Sequence, residues 1–453
     1  MKKKSLIICV LLLVSQNIIS QCWQSVTSGG EMSIAFKTDG TLWTFGRNNN
    51  GQIGDGTILN KSNPTQIGTN DWSKVSKGGN HTVAIKTNGT LWAWGLNNYG
   101  QLGDGTTVNK SIPTQIGIDN NWQLIVVGGF HTLAIKNNGT LWAWGSNNFG
   151  QLGNALNINL LIPTQIGTAN NWSKIAAGDL HSLAIKTNGS LWSWGYNADG
   201  QLGIGNIVDK NIPTQVGTTT GWFFVSAGKH HSLALRGSGI LYTCGANDFG
   251  QLGNGNSNPN STFSQIGTAS NWSLVDGGEF HSVGLKNNGT IWSFGTDSFG
   301  ELGNGLSVSY NPTQIGTITN WVSVSAGYHH SIAKKSDNTI WSWGQGFYGA
   351  LGTNSSSNAT SPIQISCTNL SITDNENDKS FVIFPNPSKN IIYIQNPNLI
   401  KFDKISICNI QGKIIFEVFE NLNQLNIEKL IDGIYFMNIS YNNQTKILKF
   451  IKN

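Results

Sequence analysis

Charge is scarce in this chain. Asp, Glu, Lys and Arg make up only 11% of 453 residues, and the formal net charge is +5. Lys2 to Lys4 crowd the N-terminus, and no basic block stands elsewhere. A nucleic-acid surface needs such a block, so that class of partner is not expected. Long apolar runs are also missing. Leu6 to Val14 is too short to cross a bilayer as an ordinary helix, and no later segment is longer and apolar, so no stable membrane span is expected. There is no G-x-S-x-G elbow, no phosphate-cradling P-loop and no pair of carboxylates in a repeated or inserted loop.

What is abundant is Gly, 55 residues, and Trp, 17. That mix suits a turn-rich, aromatic-cored β protein. The mean hydropathy of −0.18 and the regular patterning argue against disorder. The basic start, short apolar run and polar close of residues 1–20 read as a secretory signal peptide cut near Ser20.

The tryptophans are periodic. Trp23, Trp72, Trp122, Trp172, Trp222, Trp272 and Trp321 recur every 49 or 50 residues. A G-x-x-H element follows each, at His81, His131, His181, His231, His281 and His330, with Met32 in the first copy. Then come a turn such as TNGT, a strand ending in W-G or F-G, G-Q-L-G, and PTQIG or a relative. Each unit reads as four short strands, and Asn-Gly or Asp-Gly pairs such as Asn88–Gly89 signal hairpins in which both turn positions take positive φ. Four strands at this period describe a propeller blade, and seven blades close a ring without long open edges. Tryptophan once per blade is expected to pack between blades.

G-x-x-H-[ST]-x-A-[IL], L-W-x-W-G and N-x-x-G-Q-L-G resemble the regulator of chromosome condensation (RCC-type) repeat over residues 22–367. The resemblance implies a seven-bladed β-propeller. After Cys367 tryptophan vanishes and short β-type runs alternate with Pro, Asn and Gly, as in a small sandwich. Pro385, Asn386, Pro387, Gly412, Gly433, Tyr435 and Lys449 fall in an order that resembles the type A sorting domain of the type IX secretion system. That implies a bacterium of the Bacteroidetes kind, passage through the periplasm, and release or display outside the outer membrane. The expected architecture is therefore all-β, with a signal peptide at 1–20, a seven-bladed RCC-type propeller at 21–367, a linker at 368–380 and a sorting domain of small β-sandwich type at 381–453, through which the chain meets the secretion machinery.

Cys22 directly precedes the first frame tryptophan, and Cys367 stands in the slot of Thr69 in PTQIGT. In an internal repeat those slots are two residues apart, so a Cys22–Cys367 disulfide is expected to fasten the ring's seam. Closing so long a loop contributes about 4–5 kcal/mol in the chain-entropy model, less any strain. Cys244 replaces a third-strand aromatic and reads as a buried free thiol.

Six histidines at one frame position sit in six different blades, too far apart to share a metal whose ligands must lie about 2 Å away. They read as hydrogen-bonded structural groups, and neither metal nor cofactor is expected. Nucleotide exchange, the best-known activity among RCC-type proteins, transfers poorly, because no unit here carries a wedge-like insertion.

Function is expected where the copies differ. The residue before the frame histidine, or before Met32, runs Glu31, Asn80, Phe130, Leu180, His230, Phe280, His329. A binding face of Phe130, Leu180, His230, Phe280 and His329, rimmed by Asp179, Lys229, Glu279 and Tyr328, is the preferred site, with aromatics as rigid anchors. A second series before G-Q-L-G runs Asn50, Tyr99, Phe149, Asp199, Phe249, Phe299, Tyr348, equally suited to contact or to packing inside blade corners. The function expected is a secreted or surface-displayed scaffold that recognises an extracellular protein or glycan. The alternative is an extracellular enzyme acting on polysaccharide at the propeller channel; guanine-nucleotide exchange stands behind both.

Overall fold

The computed structural model describes residues 23–69, 71–366, 381–396, 400–409, 414–419, 422–441 and 444–453. The signal peptide, the linker and both seam cysteines, Cys22 and Cys367, lie outside the described residues. The chain forms two compact units that divide between residues 367 and 368.

The first unit holds seven antiparallel four-stranded sheets, each built from one continuous stretch of chain. In blade 1 the strands are Trp23–Gly29, Met32–Lys37, Leu42–Gly46 and Lys61–Ile67; in blade 7 they are Trp321–Ala326, His330–Lys335, Ile340–Gly344 and Ala359–Ile365. The strand that begins with tryptophan lines a central channel, and the PTQIG strand is outermost.

Blades cohere through their flanks. The buried apolar side chains form seven clusters in this unit, and each joins two neighbouring blades. In one, Val83, Leu91 and Leu102 of blade 2 meet Trp122, Ile125 and Trp144 of blade 3. The tryptophans that open first strands are 1–6% exposed, and Trp94, Trp144, Trp194 and Trp343 are fully buried. The other six, Trp43 and its counterparts, are half-buried, set edge-on to the first-strand indole of their own blade at 5.7–6.4 Å. Lysine covers each of those outer rings, as Lys286 Nζ does 3.6 Å above Trp292.

The frame histidines form a girdle. His131 Nε2 lies 2.9 Å from Ser182 Oγ in the next blade, and Ser182 Oγ donates to the carbonyl of Gln151 at 2.8 Å. The same relay links His81 to Thr132, His181 to Ser232, His231 to Ser282, His281 to Ser331 and His330 to Ser33. A hydroxyl has one proton, already given to the carbonyl, so Nε2–H is the donor to it. Burial pushes His81, His131, His231 and His281 down to about 3, so these rings stay neutral.

The hairpin turns correct one expectation. Only the glycine of each Asn-Gly or Asp-Gly pair has positive φ, as at Gly89, +81°. Gly89 N–H donates to Lys86 O, so the asparagine sits at the corner of an ordinary turn and the glycine takes the left-handed bulge that follows. The asparagine is there for its side chain: Asn88 Oδ1 accepts from Thr90, whose hydroxyl accepts from Trp92 Nε1 at 2.9 Å.

The ring closes through a joint that four internal junctions share. Trp172, Trp222, Trp272 and Trp321 each donate N–H to the turn glycine of the preceding blade at 3.0–3.1 Å, and Trp23 does so to Asn338 at 3.4 Å.

The second unit pairs a three-stranded sheet, Val382–Phe384, Ile391–Gln395 and Gln424–Asn426, with a four-stranded one, Ile414–Val418, Lys404–Asn409, Gly433–Tyr441 and Gln444–Lys452. Phe381, Ile392, Ile405, Met437 and Phe450 belong to their common core. The F-P-N-P-S motif has a structural use. Asn386 donates to Lys449 O at 3.0 Å and accepts from Ile451 N at 2.9 Å, clamping the last strand.

Candidate functional site: the channel mouth and its blade corners

Antiparallel order puts the G-x-x-H turns and the N-x-x-G-Q-L-G loops of all blades on one face of the ring. The first glycine of G-x-x-H forms a collar around the channel. A Cβ at Gly228 or Gly278 would lie 2.6 Å from the carbonyl oxygen of the next blade's glycine, closer than any side chain allows.

The next position decides what fills the mouth. Gly30, Gly79 and Gly129 leave one side bare, while Asp179, Lys229, Glu279 and Tyr328 crowd the other. Tyr328 reaches from blade 7 to blade 4 and donates its phenol to Asp179 Oδ1 at 2.7 Å. A Cβ at Gly79 would come within 2.6 Å of that phenol oxygen, so a side chain there would push the phenol aside. Burial and the Asp179 charge push the Tyr328 phenol well up, and burial raises Asp179 as well. Lys229 pairs with Glu279, whose other oxygen lies 3.1 Å from His329 Nε2. Burial works against the Glu279 charge, but hydrogen bonds from His329 and Lys229 hold its carboxyl below the usual range.

Beneath the mouth lies a cavity of about 210 Å³. Ser28, Ser76, Ser226 and Asp276 line one part of its wall, and Val126, Ile175 and Ala176 another. Asp276 is raised by burial and is fully engaged: it accepts from Ser226 Oγ at 2.6 Å, Ser325 Oγ at 2.8 Å and Ala326 N at 2.9 Å, tying blade 6 to blades 5 and 7.

The two variable series meet. Each residue before G-Q-L-G stands at a junction with the residue before the next blade's histidine. Tyr99 packs edge-on against Phe130 with centroids 5.5 Å apart, Phe249 against Phe280 at 4.8 Å and Phe299 against His329 at 5.4 Å. Asp199 lies 3.2 Å from His230 Nδ1, and Asn50 bonds Asn80 at 3.5 Å. At the seam, Arg47 pairs with Glu31 and lies 5.3 Å from the Tyr348 ring. In the remaining corner Phe149 packs on Tyr196, which also reaches His230, while Leu180 stands half-buried in its slot. Pairing leaves Tyr99, Phe249 and Tyr348 exposed, and Phe130, Phe280 and His329 half-buried.

Sequence reasoning misses Tyr196, whose position has no common residue type, and Asp276, which stands where Thr27, Ser76, Ser226 and Ser325 carry a hydroxyl in other blades. It also passes over Asp297 and Glu301, where blade 6 replaces the frame Asn and Gln. Among the described residues no cluster of His, Cys, Asp and Glu has the arrangement of a metal site, and no helix is long and apolar enough to cross a membrane.

Residues 10–224 match the RCC1-like domain family; residues 238–285 and 288–333, and separately 224–251 and 321–350, match regulator of chromosome condensation (RCC1) repeat families. Residues 382–453 match the secretion system C-terminal sorting domain. No curated protein matches the chain. Among solved structures, yeast RCC1 (Prp20) bound to Kap60 is similar at TM-score 0.66 and 20% identity, over 85% of this chain and 94% of that one. Prp20p from Saccharomyces cerevisiae, described with its binding properties to Gsp1p and histones, is similar at 0.65 and 21%, over 80% and 90%. Human WBSCR16 is similar at 0.65 and 19%, over 72% and 94%.

Proposed function

Because the chain belongs to the RCC1-repeat propellers and ends in a type IX sorting domain that sends it to the cell surface or beyond, we propose that it is an extracellular binding scaffold whose G-x-x-H face grips a protein or glycan. The observation that carries this reading is the arc of corner pairs around the mouth. Tyr99–Phe130 and Phe249–Phe280 are rigid aromatic pairs, each already held by its neighbour, so little side-chain freedom is lost on contact. Phe130, Leu180, His230, Phe280 and His329 supply the arc, and Asp179, Lys229, Glu279 and Tyr328 its inner rim.

The enzyme reading is weaker. A general acid or base must be reachable by substrate, whereas Asp276 is wrapped by two hydroxyls and an amide, Asp179 is held by Tyr328, and Glu279 by Lys229 and His329. The test is capture from the native environment by the purified propeller. A Phe130→Ala/Phe280→Ala double variant that folds normally should lose the captured partner; undiminished capture would move the binding site off this face.

A further inference from the structure

The junction between blades 6 and 7 is built unlike the others. Where five blades place the neutral glutamine of G-Q-L-G, blade 6 has Glu301, 1% exposed. One of its oxygens does the glutamine's work and accepts from Phe299 N at 2.7 Å, as Gln101 does from Tyr99 N. The other faces His329 Nδ1 at 3.9 Å. The opposite ring nitrogen, Nε2, is 3.1 Å from Glu279. One imidazole thus stands between two carboxylates of the neighbouring blade.

The surrounding charges favour an imidazolium. Glu31, from the blade 1 turn, adds negative potential, although it is itself paired with Arg47. Burial and Asp297, on the loop that carries Glu301, push the Glu301 carboxyl up, which makes the facing imidazolium the partner that its charged form needs. Lys229 of blade 5 is spent on Glu279, and frame His281 of blade 6 is neutral. Burial opposes charge on His329, but Glu279 and Glu301 outweigh it and the ring titrates above its ordinary value. The residue before it, Tyr328, is fastened at three points: its N–H to Gly30 O, its carbonyl to Glu279 N–H, and its phenol to Asp179.

We propose that this corner is a proton-operated latch: protonated His329 ties the blade 7 turn to both carboxylates of blade 6, and loss of the proton leaves a single N–H, which stays with Glu279 and lets go of Glu301, loosening the turn that carries Tyr328 across the channel mouth. For its bearing on ligand access the latch rests on the binding-face reading above. The direction is set by linkage. A group raised in the folded state contributes its full stabilisation below its unfolded value, and loses it as pH rises through the folded one. Above that point Glu301 remains buried without its partner, whereas Glu279 retains Lys229.

Hydrogen exchange of the purified protein over residues 326–331, at pH 6 and pH 9 and corrected for intrinsic rates, tests this without any partner, so its outcome is independent of whether the face binds one. The wild type should lose protection in this turn at pH 9. His329→Gln should be poorly protected at both values and show no pH step. Glu301→Gln, which restores the repeat's own residue, should stay protected at pH 6 and show a smaller step. Unchanged protection of the wild type between the two values, or a full step surviving in both variants, would overturn the latch.

Discussion

Asp297 and Met32 each break a frame position, and each break has a measurable cost. In blades 1 to 5 a fully buried asparagine ties down the loop after strand three; Asn97 Nδ2 donates to Asp104 Oδ1 at 3.0 Å, Thr106 O at 3.0 Å and Val108 O at 3.2 Å. Asp297 replaces that amide with oxygen, and burial pushes its carboxyl up to about 6. An acid raised above its unfolded value stabilises at low pH and loses that contribution as pH rises through the folded value, here around 6. Asp297→Asn should therefore raise stability at pH 8 by on the order of 1 kcal/mol, discounted for partial exposure, and by less at pH 5; equal unfolding midpoints for the two proteins at pH 8 would contradict this. In the girdle, Thr82 Oγ1 donates to Gln52 O at 2.9 Å and meets only the thioether of Met32, at 3.9 Å. Met32→His should complete the relay and add about 1 kcal/mol at neutral pH, read by chemical denaturation. The sequence shows both departures plainly, since Asn, Gln and His recur at fixed spacing. What spacing does not encode is what each amide or imidazole touches, so the weight of a substitution emerges only from the hydrogen bonds.

Blades are legible because their signals are local: a tryptophan, a histidine, a turn glycine and a G-Q-L-G at constant offsets within one stretch of chain. The junctions are less so. Tyr99 and Phe130 lie in different blades and belong to two series that look independent in the sequence; only the stacking of one blade's loop on the next blade's turn joins them. The same holds for Tyr328, whose partner Asp179 is three blades away. Element-scale reasoning does strengthen one expectation. The slots that Cys22 and Cys367 would fill are occupied at the first internal junction by Asp71 and Thr69, and those side chains bond each other at 2.8 Å. Two cysteines in the same relation are near enough to bridge. Non-reducing peptide mapping of the exported protein should recover the Cys22–Cys367 pair, and two free thiols would exclude it. Reduction should then lower the propeller's unfolding midpoint while leaving buried Cys244 untouched.

On the scale of the whole molecule, the two units have separate cores and separate tasks. Deleting residues 381–453 should leave the propeller's melting temperature unchanged within about 1–2 °C, because among the described residues the propeller's core clusters draw on none of that segment, while the protein should accumulate in the periplasm. Release of the truncated form to the medium would count against the sorting role. The ring itself has a further property. Among the described residues no sheet borrows a strand from the opposite terminus, and the seam repeats a joint found between other neighbours, so the ring does not depend on which junction carries its break. Splicing the propeller's ends together and opening the chain instead at the exposed connection between residues 167 and 171 would leave all twenty-eight strands in their own sheets. A lineage could thus rotate its starting point, or gain and lose whole sectors, without ever passing through a torn sheet.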